Sequence, residues 1–446
     1  MWSTLWVVID SLIVALKALF STLPDRRQGD NTMYSMRDFG SAAFAVFFTQ
    51  SPSFLAQQTA LQRGRGTSNC QTLFGMDKIP TDNQIRTMLD PVPPETLFPM
   101  FDTTLGALEA GGGLPAFQRL GGHMLIALDG TEYFCSQKLS CPNCSSRVRA
   151  NGKKEHFHAM LSAAMVAPGH DRALPLEPEF ISPQDGAEKQ DCESRAAHRW
   201  LAAHGPKYAH LSPIYMGDDL SSRQPTCEAV KEIGAHFLFT AKPSSHKTLY
   251  SWLDGAEVPS IEQKIKQGPR FVTHRYRWLG DVPLRDGVVS KTRLRHDDAM
   301  LVNWLEIEIV DTAGKTTYRN SFVTDLPVTS NNVAELAACG RARWKIENES
   351  FNTLKTKGYN LEHNFGHGKA HLAATLATLN LLAFALHTVA DLVDEAWKAA
   401  RTAVGARKHF FEELRTITTY LLFQSWSALV ETLRSGAPPP AVVRDG

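Results

Sequence analysis

The sequence predicts an α/β chain with a β-rich insertion and helical regions at both ends. Three observations lead to this class. Short apolar runs alternate with helical segments over residues 121–243, which is typical of strands packed against helices. Period-two alternation dominates residues 244–330 and favours strands. Apolar positions recur at helical spacing over most of residues 1–120 and 331–433.

The bulk composition excludes several classes of protein. The chain has 446 residues, 43% of them hydrophobic and 21% charged, which excludes collagen-like and wholly disordered proteins. The formal net charge is only +1, so any basic surface for nucleic acid must be local. The seven cysteines are an odd and sparse set, which indicates a reducing cytosol rather than a disulfide framework.

Two apolar segments raise the question of a membrane. The first twenty residues are strongly apolar, but Asp10 and Lys17 interrupt them and no small-residue cleavage site follows. We interpret this segment as a packing helix, with a membrane span and a mis-assigned start as the alternatives. Residues 371–389 are apolar too, yet they contain Thr, Asn and His and are expected to form a buried helix.

The rest of residues 1–120 is predicted to contain several short helices. A polar stretch includes Arg63 and Arg65, and Thr81 is a predicted N-cap for the helix that follows it. The glycines at 111–113 are expected to form a hinge before the next region.

The pattern of residues 121–243 is three strands, a helix, a strand, a helix and a strand, which predicts an antiparallel opening meander followed by α/β units. The predicted strands cover residues 123–130, 157–168, 172–181, 210–219 and 236–243, and the predicted helices cover residues 191–205 and 224–235.

Residues 244–330 are predicted to form a β-rich insertion, with strands at 270–279, 300–310 and 315–325. Helices are expected to return at 332 and to continue to about 433. The Pro-rich tail, residues 434–446, is expected to be disordered.

Three carboxylates are placed where they could meet. Asp129 and Asp218 end predicted strands, and Glu347 lies on the helix after the insertion. Hard cations such as Mg²⁺ favour carboxylate oxygens, and two ions about 3.5–4 Å apart can clamp a phosphoryl displacement. Each strand acid also has a structural interpretation, because Asp129-Gly130 is typical of a turn and either Asp218 or Asp219 could cap a helix. Their co-occurrence in this element order favours a metal site.

Glu347 shares a helical stripe with Arg343, Phe351 and Leu354. A carboxylate among apolar neighbours is costly to bury alone, so it needs a partner. That partner is either Arg343, one turn back, or a metal ion, and the pattern leaves both open.

Several longer segments carry a family resemblance. They run from about residue 125 to 375 and are LDGTEYFCSQKLSCPNCSSR, EPEFISPQDGAEKQDCE, YMGDDL, DVPLRDG and GRARWKIENESFNTLKTKGYNLEHNFGHGKAHL. On these segments the chain resembles the DDE transposases of bacterial insertion sequences, especially the ISNCY group, and residues 33–58 look similar as well. The resemblance covers most of the chain, and the last segment is the most specific.

This resemblance implies a ribonuclease H-like core with a strand insertion before the catalytic Glu. It implies that Asp129, Asp218 and Glu347 hold Mg²⁺ or Mn²⁺ for cleavage of element ends and strand transfer. The implied partners are the terminal inverted repeats, bound through residues 1–120 and 244–330, target DNA, and further copies of the chain in a homodimer or larger synaptic complex. The protein is then expected to be cytoplasmic and nucleoid-associated, with no membrane partner. Two alternatives stay open: a ribonuclease H-like nuclease that cuts without joining, and a catalytically inactive, transposase-derived DNA-binding protein.

The chain departs from the family pattern around the Glu. Related transposases carry a Tyr-Arg-Glu-Lys signature, and this sequence keeps Arg343 four residues before Glu347. Gly340 stands where Tyr is expected, and Lys355 lies one residue after the usual Lys position. Contacts to phosphate or DNA are assigned to Arg343, Lys355 and Lys357.

A second metal site is suggested by Cys141 and Cys144, which with His156 and His158 form a C-x₂-C…H-x-H pattern. A Cys₂His₂ zinc site usually has its histidines three to five residues apart, so the spacing is unusual. Two interpretations remain: a structural zinc site, to which Cys135 could add a third thiolate, or free thiols in a hairpin.

Other aromatic and histidine residues receive structural interpretations. His363, His367 and His371 are expected to be structural polar groups rather than ligands. Trp278 and Trp304 in the insertion are expected in the core, with stacking of one of them on a flipped base as the alternative.

Overall fold

The computed structural model describes residues 8–29, 33–62, 69–183, 191–285, 288–290, 293–295 and 299–439. Arg63, Arg65 and residues 440–446 of the predicted disordered tail lie outside these ranges.

One mixed sheet of twelve strands organises the molecule, in the order β3-β4-β2-β7-β8-β14-β13-β10-β9, with β1 paired to β2 and with β5 and β6 paired to β4. A separate two-stranded sheet pairs β11 with β12. The strands are β1 (Gln118–Arg119), β2 (His123–Ser136), β3 (Ser145–Val148), β4 (Lys154–Val166), β5 (Leu174–Pro175), β6 (Glu179–Ile181), β7 (Pro213–Gly217), β8 (His236–Thr240), β9 (Ser260–Gln267), β10 (Arg270–Pro283), β11 (Val288–Ser290), β12 (Arg293–Arg295), β13 (Leu301–Val310) and β14 (Thr316–Thr324).

The helices are α1 (Val8–Ser21), α2 (Met36–Phe48), α3 (Phe54–Gln62), α4 (Asn69–Phe74), α5 (Asp82–Leu89), α6 (Pro99–Ala110), α7 (Glu193–His204), α8 (Gln224–Glu232), α9 (Lys247–Asp254), α10 (Val333–Ala342), α11 (Asn352–Thr356), α12 (Leu372–Val393), α13 (Glu395–Val404), α14 (Arg407–Tyr420) and α15 (Trp426–Ser435). The mixed α/β class with helical regions at both ends is therefore confirmed.

The first half of the sheet follows the predicted order of elements. Strands β2 and β4 pair antiparallel, β2 and β7 pair parallel, and β7 and β8 pair parallel. The predicted third strand is two short pieces, β5 and β6, which both pair with β4. Helices α7 and α8 supply the crossovers before β7 and β8.

The insertion strands continue the same sheet instead of forming one of their own. Strand β14 pairs antiparallel with β8, with Phe322 opposite Thr240, and β13, β10 and β9 follow outward. The three predicted insertion strands are confirmed as β10, β13 and β14. Strand β9 was not predicted because its sequence, SIEQKIKQ, is mostly polar and almost wholly exposed, as an edge strand can be.

Each face of the sheet carries its own apolar core. Alternate residues of a strand point to opposite faces, so Met124 and Ile126 pack with the N- and C-terminal helices and α7. Their neighbours Leu125 and Ala127 pack against α10 and Ile346 on the other face. The segment that carries Glu347 therefore lies on the opposite face of the sheet from α7.

From Val8 on, the N-terminal apolar segment is a packing helix, as predicted, while residues 1–7 lie outside the described ranges. Five side chains of α1 are buried, among them Leu12 and Leu16. The Asp10 carboxylate, which interrupts the apolar run, accepts hydrogen bonds from the backbone N–H groups of Trp426 and Ser427 at 3.0 and 3.2 Å. It thereby caps α15, since these are among the N–H groups that a helix leaves unsatisfied at its start.

Among the described helices, α12 is the one long and apolar enough to cross a membrane by length and composition, and 89% of its most apolar window is buried within the protein. The predicted buried helix over residues 371–389 is confirmed. The predicted glycine hinge is packed against it, because a Cβ on Gly111 would lie 2.5 Å from the Val393 side chain. The predicted cap on α5 is also confirmed, with Thr81 accepting from the Gln84 N–H.

Candidate functional site

Asp129 and Asp218 lie side by side on neighbouring parallel strands. The β2–β7 register pairs Ala127 with Met216, and continuing it by two residues places Asp129 opposite Asp218. Asp129 is not at a strand tip, as the sequence suggested, because β2 runs on to Ser136 through its pairing with β4. Asp129 and Asp218 nevertheless lie at the same level of the sheet, because Asp218 directly follows the end of β7 at Gly217.

Asp218 and its neighbour Asp219 have different environments. Asp219 Oδ1 accepts the backbone N–H of Lys242 at 2.6 Å, and Oδ2 accepts the Ser245 hydroxyl, so this side chain organises the turn after β8. Asp218 Oδ1 accepts only the local N–H of Leu220 at 2.8 Å among the hydrogen bonds of the described residues. This difference supports the choice of Asp218 as the site carboxylate.

Glu347 lies on a π-helical turn and not on a continuous α-helix. Helix α10 ends at Ala342, and the π-helical segment Ile346–Phe351 leads into α11. Such turns occur often at functional sites, because the extra residue turns side chains away from the α-helical stripe. Trp344, three residues before Glu347, is 51% exposed.

Arg343 links Asp129, in strand β2, to Glu347, in the π-helical turn. Its Nη1 donates to Asp129 Oδ2 at 3.0 Å and its Nη2 donates to Glu347 Oε1 at 3.1 Å. The salt bridge considered for Glu347 is therefore present, and Arg343 extends it to Asp129. Both Arg343 and Asp129 are largely buried, with side chains 11% and 15% exposed.

Glu193 is a fourth carboxylate, which the sequence reasoning missed. It is the first residue of α7, and its Oε1 accepts the backbone N–H of Gly130 at 3.0 Å. A Cβ at position 130 would collide with the Glu193 carboxylate, so the glycine permits the close approach. A usable signal was an acid at the start of the first helix after the meander, a place where a carboxylate is also favoured by the helix dipole.

Burial and repulsion between carboxylates raise the pKa of two acids of this group, Asp129 and Glu193. Burial raises the pKa of Asp129 to about 7, with Arg343 opposing the rise and Glu193, Glu347 and Asp218 adding to it. Burial and the charge of Asp218 likewise raise the pKa of Glu193, against the Gly130 N–H and Arg343. Arg343 supplies one positive charge to this group of four carboxylates, and a divalent cation would supply more.

The other residues predicted to contact phosphate are Lys355 and Lys357. Lys355 Nζ pairs with Glu362 at 2.9 Å, so this lysine is not a free cation. Lys357 is exposed beyond the end of α11. Gly340 lies under β14, where a Cβ would come within 2.7 Å of the Phe322 ring, so the tyrosine expected at this position has no room.

The two tryptophans considered for base stacking, Trp278 and Trp304, both pack against the core. Trp304 is 1% exposed and packs in the core, as expected. Trp278 is half-buried against the second core cluster. Among the described residues, the largely exposed tryptophans are Trp252, which lies in the insertion, and Trp344, which is next to Arg343.

Cys141 and Cys144 lie in a group of four residues that could hold a metal ion, together with His158 and His367, whose ligand atoms all lie within 4.8 Å of one another. We call this group the Cys/His cluster. His156, although part of the sequence pattern, is not in it. The expectation that His367 is only a structural polar group is corrected, because the loop before α12 folds back onto the β2–β4 hairpin.

Cys135 is outside the Cys/His cluster. It is exposed and lies near Glu155 and Arg147 on the hairpin. The third thiolate considered from the sequence is therefore not part of the Cys/His cluster, and the fourth member of the cluster is His367, 223 positions from Cys144.

No model of a known protein family matches the chain, and no similar protein was found among curated proteins.

Proposed function

We propose that this protein is a DDE-type transposase with a ribonuclease H-like core, which cleaves the ends of an insertion element and joins them to target DNA. The proposal rests on one observation above all. Asp129 and Asp218 lie side by side, Arg343 links Asp129 to Glu347, and Glu193 reaches over Gly130 toward the same point.

The arrangement of the sheet supports this core. Three antiparallel strands, β2, β4 and the β5–β6 pieces, precede two parallel strands, β7 and β8, with helical crossovers between them. This order puts the first strand beside the fourth and so brings Asp129 to Asp218. The insertion then returns through β14, which pairs with β8 and leads directly into α10 and the Glu347 turn.

The carboxylates fit a divalent cation by their chemistry. They offer hard oxygen ligands from separate elements, and burial, with a smaller part from the neighbouring carboxylates, raises the pKa of Asp129 and Glu193. Mg²⁺ or Mn²⁺ bound by Asp129, Asp218 and Glu347 would polarise phosphodiester oxygens and lower the pKa of a bound water. Glu193 would complete the set of acids or position Asp129 through the Gly130 backbone.

The residues of the chain would orient the DNA. Arg343 holds two of the acids in place and presents its guanidinium at the site, where it can also contact a phosphate. Lys357 and Trp344 are both exposed. Lys357 would supply a positive charge for the DNA backbone, and Trp344 would supply a surface on which a base can stack. We assign the terminal repeats to the N-terminal helical region and the insertion. Since two ends must be joined, we propose a dimer or larger complex acting on the nucleoid.

The test is metal-dependent cleavage of a labelled DNA that carries the sequences flanking the element encoding this chain. Wild type is compared with Asp129→Asn, Glu193→Gln, Asp218→Asn and Glu347→Gln, each checked for DNA binding and folding. Glu349→Gln is the matched control, because Glu349 lies two residues from Glu347 on the same turn. We expect nicking at the element boundary by wild type and the control, and binding without cleavage by the four variants.

The outcomes separate the competing functions. Joining of a pre-cut end to a second DNA supports a transposase, whereas cleavage without joining supports a nuclease. Specific end binding with no cleavage under Mg²⁺ or Mn²⁺ indicates a transposase-derived DNA-binding protein. Equal cleavage by wild type and all four variants would remove the proposed site.

A further inference from the structure

We propose that Cys141, Cys144, His158 and His367 bind one zinc ion, which fastens the loop before α12 to the β2–β4 hairpin. This inference does not depend on the proposed DNA chemistry, because it rests on the geometry of the Cys/His cluster alone.

Four of the six distances between ligand atoms of the cluster match a tetrahedral site, and all six are within 4.8 Å. Zinc binds sulfur at about 2.3 Å and imidazole nitrogen at about 2.0–2.1 Å, so tetrahedral ligands should be separated by about 3.8 Å for two sulfurs and about 3.5 Å for sulfur and nitrogen. The Sγ atoms of Cys141 and Cys144 are 3.8 Å apart. His158 Nε2 is 3.5 Å from each sulfur, and His367 Nε2 is 3.4 Å from Cys144 Sγ.

A disulfide or thiol hydrogen bonds explain the geometry of the Cys/His cluster less well than a bound zinc ion does. A disulfide needs a sulfur–sulfur distance of about 2.05 Å, so the two cysteines are not cross-linked. Cys144 Sγ also lies 3.4 Å from the backbone N–H nitrogen of Cys141, in addition to its three cluster neighbours. One thiol proton can serve only one of these neighbours, whereas a thiolate bound to zinc accounts for all of them.

The histidines are oriented by packing. A register shift in β2 between Glu132 and Phe134 breaks the usual alternation, and the rings of Tyr133 and Phe134 both lie against His158. The Phe134 ring also lies 4.5 Å from the ring of His367. Among the described residues, His367 Nδ1 has no hydrogen-bond partner, so Nε2 is the nitrogen that the fold directs to a ligand.

The loop that carries His367 is held in place independently of the cluster. The Asp90 carboxylate accepts backbone N–H groups of Lys369, Ala370 and Leu372. Asn143, between the two cysteines, donates its side-chain amide to the carbonyl of Ala370. A cavity of about 470 Å³ opens beside Cys141 and His158, which provides a path for an ion to enter.

Zinc would join parts of the chain that are far apart in sequence. The π-helical turn with Glu347 and helix α11 lead into the His367 loop, which leads into α12. Fixing this loop to the hairpin therefore anchors the segment that follows the candidate active site.

The experiment is metal analysis of the purified full-length protein by inductively coupled plasma mass spectrometry, followed by thermal melting with and without a zinc chelator. We expect about one zinc per chain, as one tetrahedral ligand set requires. We also expect a fall in the apparent melting temperature on chelation and recovery when Zn²⁺ is added back. Cobalt(II) in place of zinc should give the visible absorption of tetrahedral cysteine ligation.

Substitutions inside and outside the Cys/His cluster show which residues bind the zinc ion. Cys144→Ser and His367→Gln should lose most of the bound zinc, while Cys135→Ser and His363→Gln, a nearby cysteine and an exposed histidine of the same loop, should keep it. Because cluster variants may unfold, the chelation and re-addition series on wild type stands as an independent test. Metal-free wild type whose melting is unchanged by added Zn²⁺ would overturn the proposal, as would undiminished zinc in folded Cys144→Ser and His367→Gln.

Discussion

The guanidinium of Arg343 donates to the carboxylate of Asp129 at 3.0 Å across 214 residues of sequence. The pair joins the turn after α10 to the middle of β2, and both side chains are largely buried. Arg343 thus occupies the position of a counterion at the point where carboxylates converge. A buried pair of this kind is costly to break from one side only, because the remaining charge is left unpaired.

The first prediction concerns competition between Arg343 and a divalent cation. We expect Mn²⁺ to raise the melting temperature of wild type, and to raise that of Arg343→Gln by more. Removing one positive charge a few ångströms from the bound ion should strengthen its binding roughly 10-fold, because two cations no longer repel each other. The measurement is a thermal-shift titration with Mn²⁺ at low ionic strength.

The control for this titration is Asp129→Asn, which should show little shift, while Asp171→Asn, an acid 80% exposed, should behave as wild type. A smaller shift in Arg343→Gln than in wild type would mean that Arg343 organises the carboxylates for the ion instead of competing with it.

The second prediction separates two adjacent acids. Asp218→Asn should reduce DNA cleavage at least about 100-fold with little loss of stability, since loss of a metal ligand removes several kcal/mol of transition-state stabilisation. Asp219→Asn should keep cleavage but lower the free energy of unfolding by about 1–2 kcal/mol, because an amide has one acceptor oxygen and cannot replace both carboxylate oxygens, which accept the Lys242 N–H and the Ser245 hydroxyl. Cleavage rates and urea denaturation of both variants measure the two effects. The reverse pattern would exchange the roles of the two residues.

Local sequence patterns were sufficient for most of the fold. Strands such as β4 and β13 combine long apolar runs with strong strand formers, and Thr81 carries its capping partner three residues away. The antiparallel return of β14 onto β8 was beyond such patterns, because pairing partners are chosen by tertiary packing. The mostly polar strand β9 carried too weak an apolar pattern for local analysis to find.

The candidate sites were predictable only in part, for the same reason. Asp129, Asp218 and Glu347 were identified by position and resemblance; the structure pairs Asp129 and Glu347 with Arg343 and places Asp218 beside Asp129. Glu193 was missed because a single acid at a helix start has an ordinary explanation in the helix dipole. His367 was missed as a candidate ligand because it lies 223 residues from Cys144, and a spacing rule for zinc sites considers only nearby histidines.

The third prediction concerns the close contact of Gly340 with Phe322. A Cβ at position 340 would lie 2.7 Å from this buried ring, so Gly340→Ala should lower the free energy of unfolding by about 1–2 kcal/mol despite the better helix propensity of alanine. Gly106→Ala is the matched control, because a Cβ there meets nothing within 4 Å; it should stabilise by about 0.5–1 kcal/mol. Urea denaturation measures both. In a Phe322→Leu background the cost of Gly340→Ala should shrink, and an unchanged cost would show that the ring is not its cause.

The fourth prediction concerns acid stability and the buried His387. Its Nδ1 lies 2.7 Å from the Tyr359 hydroxyl oxygen, and its ring packs among Phe48, Trp397 and Phe411. Burial, with the positive charges of Arg407 and Arg401, holds the pKa of this histidine well below its usual range.

The direction in which the free energy of unfolding changes with pH follows from proton linkage. Below a pH of about 6.5 the unfolded chain protonates His387 and the folded chain does not, so the stability present above that pH is lost as the pH falls. Replacing His387 by Gln keeps a hydrogen-bonding side chain but removes the titration. The stability difference between wild type and His387→Gln should therefore shrink by roughly 1–2 kcal/mol between about pH 7 and pH 5. Urea denaturation across this range measures it, with His409→Gln, an exposed histidine, as the control. A difference that stays constant with pH would mean that His387 accepts a proton in the folded state as readily as in the unfolded one.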